Sequence, residues 1–225
     1  MFAPRDNPQT TLVLASASPR RHKLLALLGF PLWVVPADVD ELDRPGEGPA
    51  EMAVRLSQLK ARVVSFRSPG SLIVSADTLV CLDGAILGKP ADDAQAVAML
   101  RSLRGRPHQV YSGVTLIDET GVERTELALT TVWMRDYNDA EIGAYVASGD
   151  PLDKAGGYAI QHRELSPVSR VDGCYANVMG LPLCHLFGTL REAGCAPPEP
   201  PVQACDCFNQ RTCDVAKDIL PKACS

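Results

Sequence analysis

Two adjacent arginines, Arg20 and Arg21, lie at the start of a segment with the residue pattern of a helix. Ser18 is a favoured N-cap residue, and Pro19 suits the first helical position. The helix dipole is positive at this end, so cations in the first turn cost about 0.3–1 kcal/mol. A bound phosphate would reverse that cost, because free backbone N–H groups, both guanidinium groups and the Ser16 and Ser18 hydroxyls could converge on it. Two solvated arginines that tolerate the penalty are the alternative.

A carboxylate, Asp77, interrupts the otherwise apolar segment "LIVSADTLV". Burying an unpaired carboxylate is costly, so Asp77 should be paired, bound to a metal, or placed at the exposed end of a strand in a cleft. An aspartate that caps a turn at the strand end is the structural alternative. Lys89, in "LGKP" after the next hairpin, could return to the same cleft. Lys60 lies in a helical segment, where a solvated lysine is the simpler interpretation.

The acidic run "ADVDELD" places several carboxylates, Glu41 among them, within seven positions. Oxygen ligands near a phosphate site favour Mg²⁺, which takes one or two carboxylates plus substrate oxygens and water. A solvated acidic loop is the alternative. Cationic residues for phosphates, carboxylates for a metal and one carboxylate as a general base together predict hydrolysis of a phosphoanhydride.

The elements that must position these residues alternate between apolar strands and amphipathic helices, as in an α/β domain. Asp83 and Gly84 between apolar flanks predict a tight hairpin turn. Asn138 with Glu141 three residues later predicts a capping box at a helix start. The predicted strands are 12–14, 72–74, 108–118 and 124–135, and the predicted helices begin near 19, 93, 138 and 183.

Composition limits the classes of function. The chain of 225 residues can form one sizeable domain with a buried core, with or without an appendage. A net charge of −5 argues against a broad nucleic-acid surface, and no apolar run approaches the roughly eighteen residues needed to span a bilayer. The start of the chain, "MFAPRDNPQTT", lacks the apolar region of a signal peptide. We therefore expect no nucleic-acid polymer and no membrane among its partners, and a cytoplasmic location.

The eight cysteines divide into two groups. Cys81, Cys174 and Cys184 lie among apolar residues and are expected to be small buried hydrophobic side chains. The other five fall at or after Cys195, where "APPEPP", residues 196–201, predicts a stiff linker. Their spacing lacks the paired C-x-x-C arrangement of common zinc sites, so an exposed tail with free thiols is preferred over a metal site.

Five segments, in this order, resemble the Maf family of nucleoside triphosphate pyrophosphatases: "LASASPRRHKLL", "SADTLV", "LGKP", "DPLDKAGGYAIQ" and "NVMGLPL". The resemblance implies an α/β fold with an elongated mixed β-sheet, flanking helices and two lobes around a central cleft, as in inosine-triphosphate pyrophosphatases. It implies cleavage between the α- and β-phosphates with a divalent metal, Mg²⁺ or Mn²⁺. The chain then divides into an N-terminal extension (1–10), a Maf-like domain (11–194), and a Pro-rich linker with a Cys-rich tail (195–225).

The resemblance also assigns roles to the candidate residues. Asp77 matches the proton acceptor that activates the attacking water. Glu41 matches an acidic position associated with the metal. The implied sets are catalytic Asp77, Lys60 and Lys89; phosphate-binding Ser16, Arg20 and Arg21; base-selecting Arg20, Thr78 and Gln161; and metal-binding Glu41 and Asp77.

The segment "DKAGGYAIQ", residues 153–161, resembles the subgroup that acts on dTTP and UTP. The methylguanosine-type subgroup has Cys in place of Lys154 and lacks the Gln. The following segment, "HRELSPVSRVDGCY", is poorer in Gly than the pyrimidine-type pattern, and the Cys-rich tail lies outside the family pattern.

A pyrophosphatase acting on dTTP, UTP or modified pyrimidine nucleotides is therefore the leading hypothesis. The alternatives are a 7-methyl-GTP-type pyrophosphatase and a nucleotide-binding regulator of septum formation in cell division. A pure regulator needs no general base, so the set of Asp77, Lys89 and Arg20 favours the enzyme. The family assignment is compatible with a homodimer. Truncation after Gly194 is expected to leave the activity intact.

Overall fold

In the computed structural model, which describes residues 11–220, seven strands form one mixed sheet: β1 (Leu12–Leu14), β2 (Leu32–Val34), β3 (Leu72–Leu82), β4 (Ala85–Leu87), β5 (Pro107–Ile117), β6 (Glu123–Met134) and β7 (Val168–Asp172). Their order is β2-β1-β3-β5-β6-β7, and β4 pairs with the end of β3. β1 runs parallel to β2 and β3, whereas β3, β5, β6 and β7 pair antiparallel in succession. The predicted N-terminal extension lies outside the described residues.

Helices accompany the sheet. In the same described part of the chain they are α1 (Pro19–Ala26), α2 (Pro49–Arg67), α3 (Asp93–Leu103), α4 (Asp139–Ala147), α5 (Tyr175–Val178), α6 (Leu183–Glu192), α7 (Pro201–Asn209) and α8 (Ala216–Ile219), with 3-10 turns at Asp150–Asp153 and Ala155–Gly157. Ser18 caps α1 by accepting a hydrogen bond from the Arg21 backbone N–H. The predicted capping box of Asn138 and Glu141 is present at the start of α4. Of these helices, none is both long and apolar enough to cross a bilayer.

Strand β3 is much longer than the sequence predicts. Pairing with β5 holds it extended from 73 to 81, so Asp77 lies in mid-strand opposite Gly113. The alternative that Asp77 caps a turn at a strand end is therefore wrong. The turn comes later, at Asp83 and Gly84, whose φ angles of 51° and 83° confirm the predicted hairpin.

Side chains that alternate along the central strands build two core layers. Leu12 and Leu72 belong to the layer that α1 and α6 cover. Val13 and Ile73 point to the opposite face, against α2. Helices on both faces of a mixed sheet confirm the predicted α/β class.

Side chains alternate between the two faces of the sheet along β6, and the larger ones among residues 127–129 face outward. Leu127 and Leu129 are exposed, whereas Ala128 and Val132 are buried. Alternation shows that a strand has two faces without showing which one the helices cover, and here α5 and α6 cover the face with the smaller residues.

The expected exposed tail is wrong for the residues up to 220. Cys205, Ala216 and Leu220 are buried in the same core layer as α1 and α6. The linker also follows the domain surface, since the Glu199 backbone N–H donates to the Leu28 carbonyl at 3.2 Å. Apolar residues after the Pro-rich stretch supply one hydrophobic side for α7 and α8, which pack on α6.

The three cysteines expected to be buried, Cys81, Cys174 and Cys184, are buried. The cysteines in the described residues are all free thiols. Burial raises the pKa of Cys174 to about 11 and of Cys205 to about 12, so both remain protonated and behave as apolar groups at neutral pH.

Candidate active site

The site lies at a gap along one edge of β3. β1 pairs with this edge at residues 72–74 and β4 pairs with it at residues 80–82. Among residues 11–220, no strand pairs with residues 75–79 on this edge. Asp77 and Thr78 fall in this gap and project to opposite faces of the sheet. The gap opens where β1 ends and the chain turns toward α1, at the carboxyl end of a parallel strand, where α/β sheets commonly bind ligands.

Asp77 and Lys60 form a buried ion pair at this gap. Asp77 is 5% exposed and Lys60 is 7% exposed, and the Lys60 Nζ lies 2.5 Å from the Asp77 Oδ1. Lys60 comes from α2, which crosses the face of β3 to which Asp77 points. The prediction that a buried Asp77 would need a partner is confirmed, and Lys60 is not a solvated lysine.

Gly113 allows α2 to approach closely enough for this contact. A Cβ at position 113 would overlap the backbone carbonyl of Ala53 and lie 2.8 Å from the Ser57 Oγ. Ser57 in turn shares a hydrogen bond with Thr115 at 2.9 Å, and its carbonyl accepts one from Ser75 at 2.5 Å. Sequence reasoning missed this role of Gly113, although a glycine inside a strand is a known signal of close backbone approach.

A second carboxylate, Glu41, approaches the same ammonium group from the acidic loop. Its Oε1 is 2.5 Å from the Lys60 Nζ, so the Glu41 and Asp77 oxygens are at most twice that distance apart. Partial burial by itself raises the pKa of Glu41, but the hydrogen bond and charge of Lys60, with the charges of Lys89 and Arg21, outweigh it and hold the pKa below its usual value. Glu41 is therefore ionised at neutral pH.

Arg21 is fixed on the other face of the gap by its side-chain hydrogen bonds. Its Nε donates to the Gly180 carbonyl at 2.9 Å, Nη1 to the Ser16 Oγ at 3.3 Å, and Nη2 to the Thr78 Oγ1 at 3.1 Å. Burial lowers the pKa of Arg21, and the nearby charge of Asp77 opposes that shift. A guanidinium group stays charged in proteins, so Arg21 is a fixed cation beside Asp77.

Arg20 and Lys89 are cations without a hydrogen bond or ion pair to any residue in 11–220. Arg20 is half-buried next to the N-cap of α1, and Lys89 is exposed but close enough to lower the pKa of Glu41. Lys60, Arg21 and Lys89 therefore lie near the two carboxylates, and Arg20 lies near Arg21. This excess of positive charge suits a polyphosphate.

The two residues predicted to select the base differ in their surroundings. The Thr78 hydroxyl already shares a hydrogen bond with Ser112 at 2.8 Å and accepts one from Arg21. Gln161 is exposed on a turn after Ile160, and within the described chain no hydrogen bond joins it to the other candidates.

Lys154 shapes the segment before Gln161. It is buried, and its Nζ donates to the Asp150 carbonyl at 2.6 Å and lies 2.5 Å from the Asp153 Oδ1. The Asp150 carboxylate also accepts a hydrogen bond from Tyr145 at 2.7 Å. The lysine side chain therefore stabilises the first of the two successive 3-10 turns, Asp150–Asp153.

The donor set fits a divalent cation that shares its ligands with a substrate. Asp77 and Glu41 present two nearby carboxylates, which is the protein contribution usual for Mg²⁺. Residues 11–220 contain no cluster of three or more His, Cys, Asp or Glu side chains arranged to hold a metal. An ion here would need oxygens from a phosphate and water to complete its coordination.

Comparison with known proteins identifies the family of this chain. The family model for Maf-like protein matches residues 11–193. A dTTP/UTP pyrophosphatase of Geobacter metallireducens is 48% identical over 185 residues, covering 81% of this chain and 96% of the relative. An enzyme of the same name in Thermomicrobium roseum is 48% identical, over 82% of this chain and 84% of the relative. A third, in Dehalococcoides mccartyi, is 44% identical, over 85% of this chain and 88% of the relative.

Among solved structures, the Staphylococcus aureus Ham1 protein aligns with a TM-score of 0.40 and 16% identity, over 56% of this chain and 73% of that chain. A likeness this weak says nothing about activity. The family model, in contrast, covers nearly all of the sheet and every candidate site residue. The chain belongs to the Maf-like protein family.

Proposed function

We propose that this protein hydrolyses dTTP and UTP, or modified pyrimidine nucleotides, to the nucleoside monophosphate and pyrophosphate. The observation that carries the proposal is the pair of carboxylates, Asp77 and Glu41, held by one buried lysine, Lys60, at the open edge of β3. The relatives named dTTP/UTP pyrophosphatases, at 44–48% identity over most of this chain, support it.

In this proposal Asp77 accepts the proton of the attacking water. The water oxygen bonds to one phosphorus of the α–β anhydride, and the bridging oxygen leaves with the other phosphoryl group. Lys60 balances the charge of Asp77 before attack and lies close enough to stabilise the developing charge. Arg21 is held in place before substrate arrives, whereas Arg20 and Lys89 are uncommitted and can turn toward the phosphates.

Glu41 and Asp77 would hold the divalent cation, Mg²⁺ or Mn²⁺, together with oxygens of the triphosphate. When bound, the ion supplies positive charge that polarises the phosphoryl group under attack. A carboxylate must be ionised to hold a metal, and the low pKa of Glu41 ensures this for Glu41 at neutral pH.

Base selection is assigned to Gln161, with Thr78 and Arg20. Thymine and uracil present an N3–H donor beside an O4 acceptor, and a glutamine amide offers the matching acceptor and donor. Cytosine reverses this pattern. Gln161 is exposed in the free protein, so its amide is covered only when a base binds. A wrong base would then leave the covered donor and acceptor unpaired, which discriminates strongly. The Thr78 hydroxyl is already hydrogen-bonded to Arg21 and Ser112. Gln161 is therefore proposed as the main residue that selects the base.

The test is pyrophosphate release from a panel of nucleoside triphosphates with Mg²⁺ or Mn²⁺. We expect higher kcat/KM for dTTP and UTP than for CTP and the purines, and Gln161→Ala should reduce that preference more than it lowers kcat for dTTP. Release of orthophosphate with a diphosphate product would refute the reaction. Higher kcat/KM for 7-methyl-GTP than for dTTP and UTP would replace the substrate assignment with the alternative one. The homodimer and the cytoplasmic location stay predictions.

A further inference from the structure

Arg55 fastens the acidic loop, residues 35–48, to helix α2. Its Nε and Nη2 donate to the two carboxylate oxygens of Glu47, each at 2.5 Å. The Nη2 also donates to the Leu42 carbonyl at 3.1 Å, one residue beyond Glu41. The loop has neither helix nor strand along its length, so these contacts supply an anchor that secondary structure does not.

The pair of Arg55 and Glu47 differs from an ordinary surface ion pair. The two side chains are only 17% and 11% exposed, and both carboxylate oxygens are engaged by the planar fork of the guanidinium group. Exposed ion pairs contribute little because water and salt screen them, but shielded bidentate pairs are stronger and fix geometry. The hydrogen bond of Arg55 lowers the pKa of Glu47, so the pair stays charged at neutral pH.

Glu41 depends on this anchor because its own contacts are few. Its side chain is 57% exposed, and Lys60 is the cation that it contacts, at 2.5 Å. Arg55 and Lys60 both belong to α2, so one helix fixes the loop backbone beside Glu41 and also the ammonium group that its carboxylate meets. Without the anchor, the nearest attachment of this loop to α2 besides Lys60 is the hydrogen bond from the Arg67 Nη1 to the Pro36 carbonyl, five residues before Glu41.

We propose that Arg55 and Glu47 are positioning residues that hold the Glu41 carboxylate beside Lys60 and Asp77, an inference that rests on the proposed hydrolase function. Neither residue contacts the reacting groups. They act through the loop backbone, and their removal should reduce turnover by letting Glu41 move away from the ion site rather than by altering the chemistry of Asp77.

The test compares Arg55→Gln, Arg55→Lys and Glu47→Gln with a matched control, Arg62→Gln. Arg62 also lies on α2 and makes a bidentate pair, with Glu123 at 2.7 and 2.9 Å, but that pair joins α2 to the sheet. Misplacement of a catalytic group by about 1 Å can cost on the order of 100-fold. We expect kcat for dTTP to fall about 10- to 100-fold in Arg55→Gln and Glu47→Gln, and to change less than about twofold in Arg62→Gln.

A second readout separates positioning from general destabilisation. Amide hydrogen exchange, followed by mass spectrometry, reports local opening of the backbone segment by segment. In Arg55→Gln and Glu47→Gln, exchange should become faster in residues 38–46, because this part of the loop loses its attachment to α2. Exchange in β3 should stay unchanged, whereas general destabilisation would speed it up there too. The control variant Arg62→Gln should leave exchange in the loop unchanged.

Arg55→Lys retains the charge but cannot make a bidentate contact, so an intermediate loss is expected. The double variant Arg55→Gln/Glu47→Gln should lose no more turnover than either single variant, because each of the three variants breaks the same contact between Arg55 and Glu47. If Arg55→Gln fails to fold, Arg55→Lys and Glu47→Gln decide the question. Folded variants with unchanged kcat, or with unchanged hydrogen exchange in residues 38–46, would overturn the proposal. If the wild-type protein releases no pyrophosphate from dTTP or UTP, the proposed function fails, and hydrogen exchange in residues 38–46 still tests the anchor.

Discussion

Lys60 is shared by two carboxylates, and this sharing determines what each residue can do. Its Nζ lies 2.5 Å from oxygens of both Asp77 and Glu41. Loss of one carboxylate leaves the cation with a partner. Loss of Lys60 would leave two like charges close together, one of them buried, and would favour protonation of one of them. In the proposed mechanism the lysine therefore keeps both carboxylates available as ligands of the ion, and Asp77 also as the base.

Asp77→Asn tests the general base directly. An amide has nearly the volume of the carboxylate but cannot accept the proton from water, so kcat for dTTP should fall about 10²- to 10⁴-fold with a small change in KM. Melting temperature measured by calorimetry should show that the variant is folded. Asp38→Asn, in the acidic run but outside the Lys60 contacts, is the matched control. A variant with near-wild-type kcat would exclude Asp77 as the base.

Residue types in the sequence indicate the kind of chemistry at this site, but they do not show which side chains are bound to other parts of the protein. Arg20 and Arg21 are equivalent in the sequence, yet Arg21 is bound to Ser16, Thr78 and Gly180 while Arg20 has no such partner in 11–220. The difference depends on the Gly180 carbonyl, 159 positions away in the chain. A contact over that sequence separation leaves no trace in the local pattern of α1.

At the scale of elements, the crossing of α2 over β5 is what brings Lys60 to Asp77. Gly113→Ala would place a methyl group against the Ala53 carbonyl and Ser57, so the helix must move away. We expect a loss of about 1–3 kcal/mol in the free energy of unfolding, as for other overpacked sites, together with a lower kcat. Chemical denaturation and dTTP turnover measure the two effects.

Gly143→Ala is the control for this substitution. Gly143 lies in α4, where an added Cβ meets nothing within 4 Å, so alanine should be neutral or stabilise by about 0.4–1 kcal/mol. If both variants behave alike, close packing of α2 on Gly113 is not what places Lys60.

His108 makes the stability of the folded protein depend on pH, independently of catalysis. It is a buried residue of β5 whose Nε2 shares a hydrogen bond with the Tyr158 hydroxyl at 2.7 Å. Burial lowers the pKa of His108 from 6.5 to about 4, so the folded state holds it neutral while the unfolded state takes up a proton below pH 6.5. Its contribution to stability is complete above pH 6.5 and is lost as the pH falls toward 4.

Urea unfolding at pH 7 and pH 5 measures this contribution. Between these values the shift of His108 accounts for about 2 kcal/mol of lost stability in the wild-type protein. The His108→Gln variant cannot take up this proton, so between pH 7 and pH 5 it should lose about 2 kcal/mol less stability than the wild-type protein. Equal losses in the two proteins would show that other groups cause the pH dependence.

Local patterns predict most elements of this fold but not their extent. The strand, helix and hairpin around the site lie where residue types indicate, because capping residues, turn dipeptides and apolar spacing are local signals. The length of β3 is not local. Its polar centre, at Ser75 and Asp77, remains extended because β5 pairs along it and α2 satisfies the two side chains.

At the scale of the whole molecule, the segment after Gly194 belongs to the hydrophobic core although the family match ends at 193. The Pro-rich stretch is a correct signal for a break in regular structure and a poor signal for a separate unit. Cys205, Ala216 and Leu220 bury their side chains against the layer that contains α1 and α6. That layer includes Leu24 and Leu25, which follow Arg20 and Arg21 in α1.

Truncation after Gly194 should therefore destabilise the protein while sparing the chemistry. Removing three buried apolar side chains exposes the surface they cover, at a cost of several kcal/mol and a fall in Tm of about 10 °C. At 25 °C the folded fraction should keep kcat for dTTP within about twofold, since the Lys60 contacts involve only Asp77 and Glu41. A chain that ends at Leu220 is the control, because it keeps every described contact. Equal Tm values for the two truncated chains would show that α7 and α8 do not support the core, and a large loss of kcat in the shorter, folded chain would mean that they reach the site.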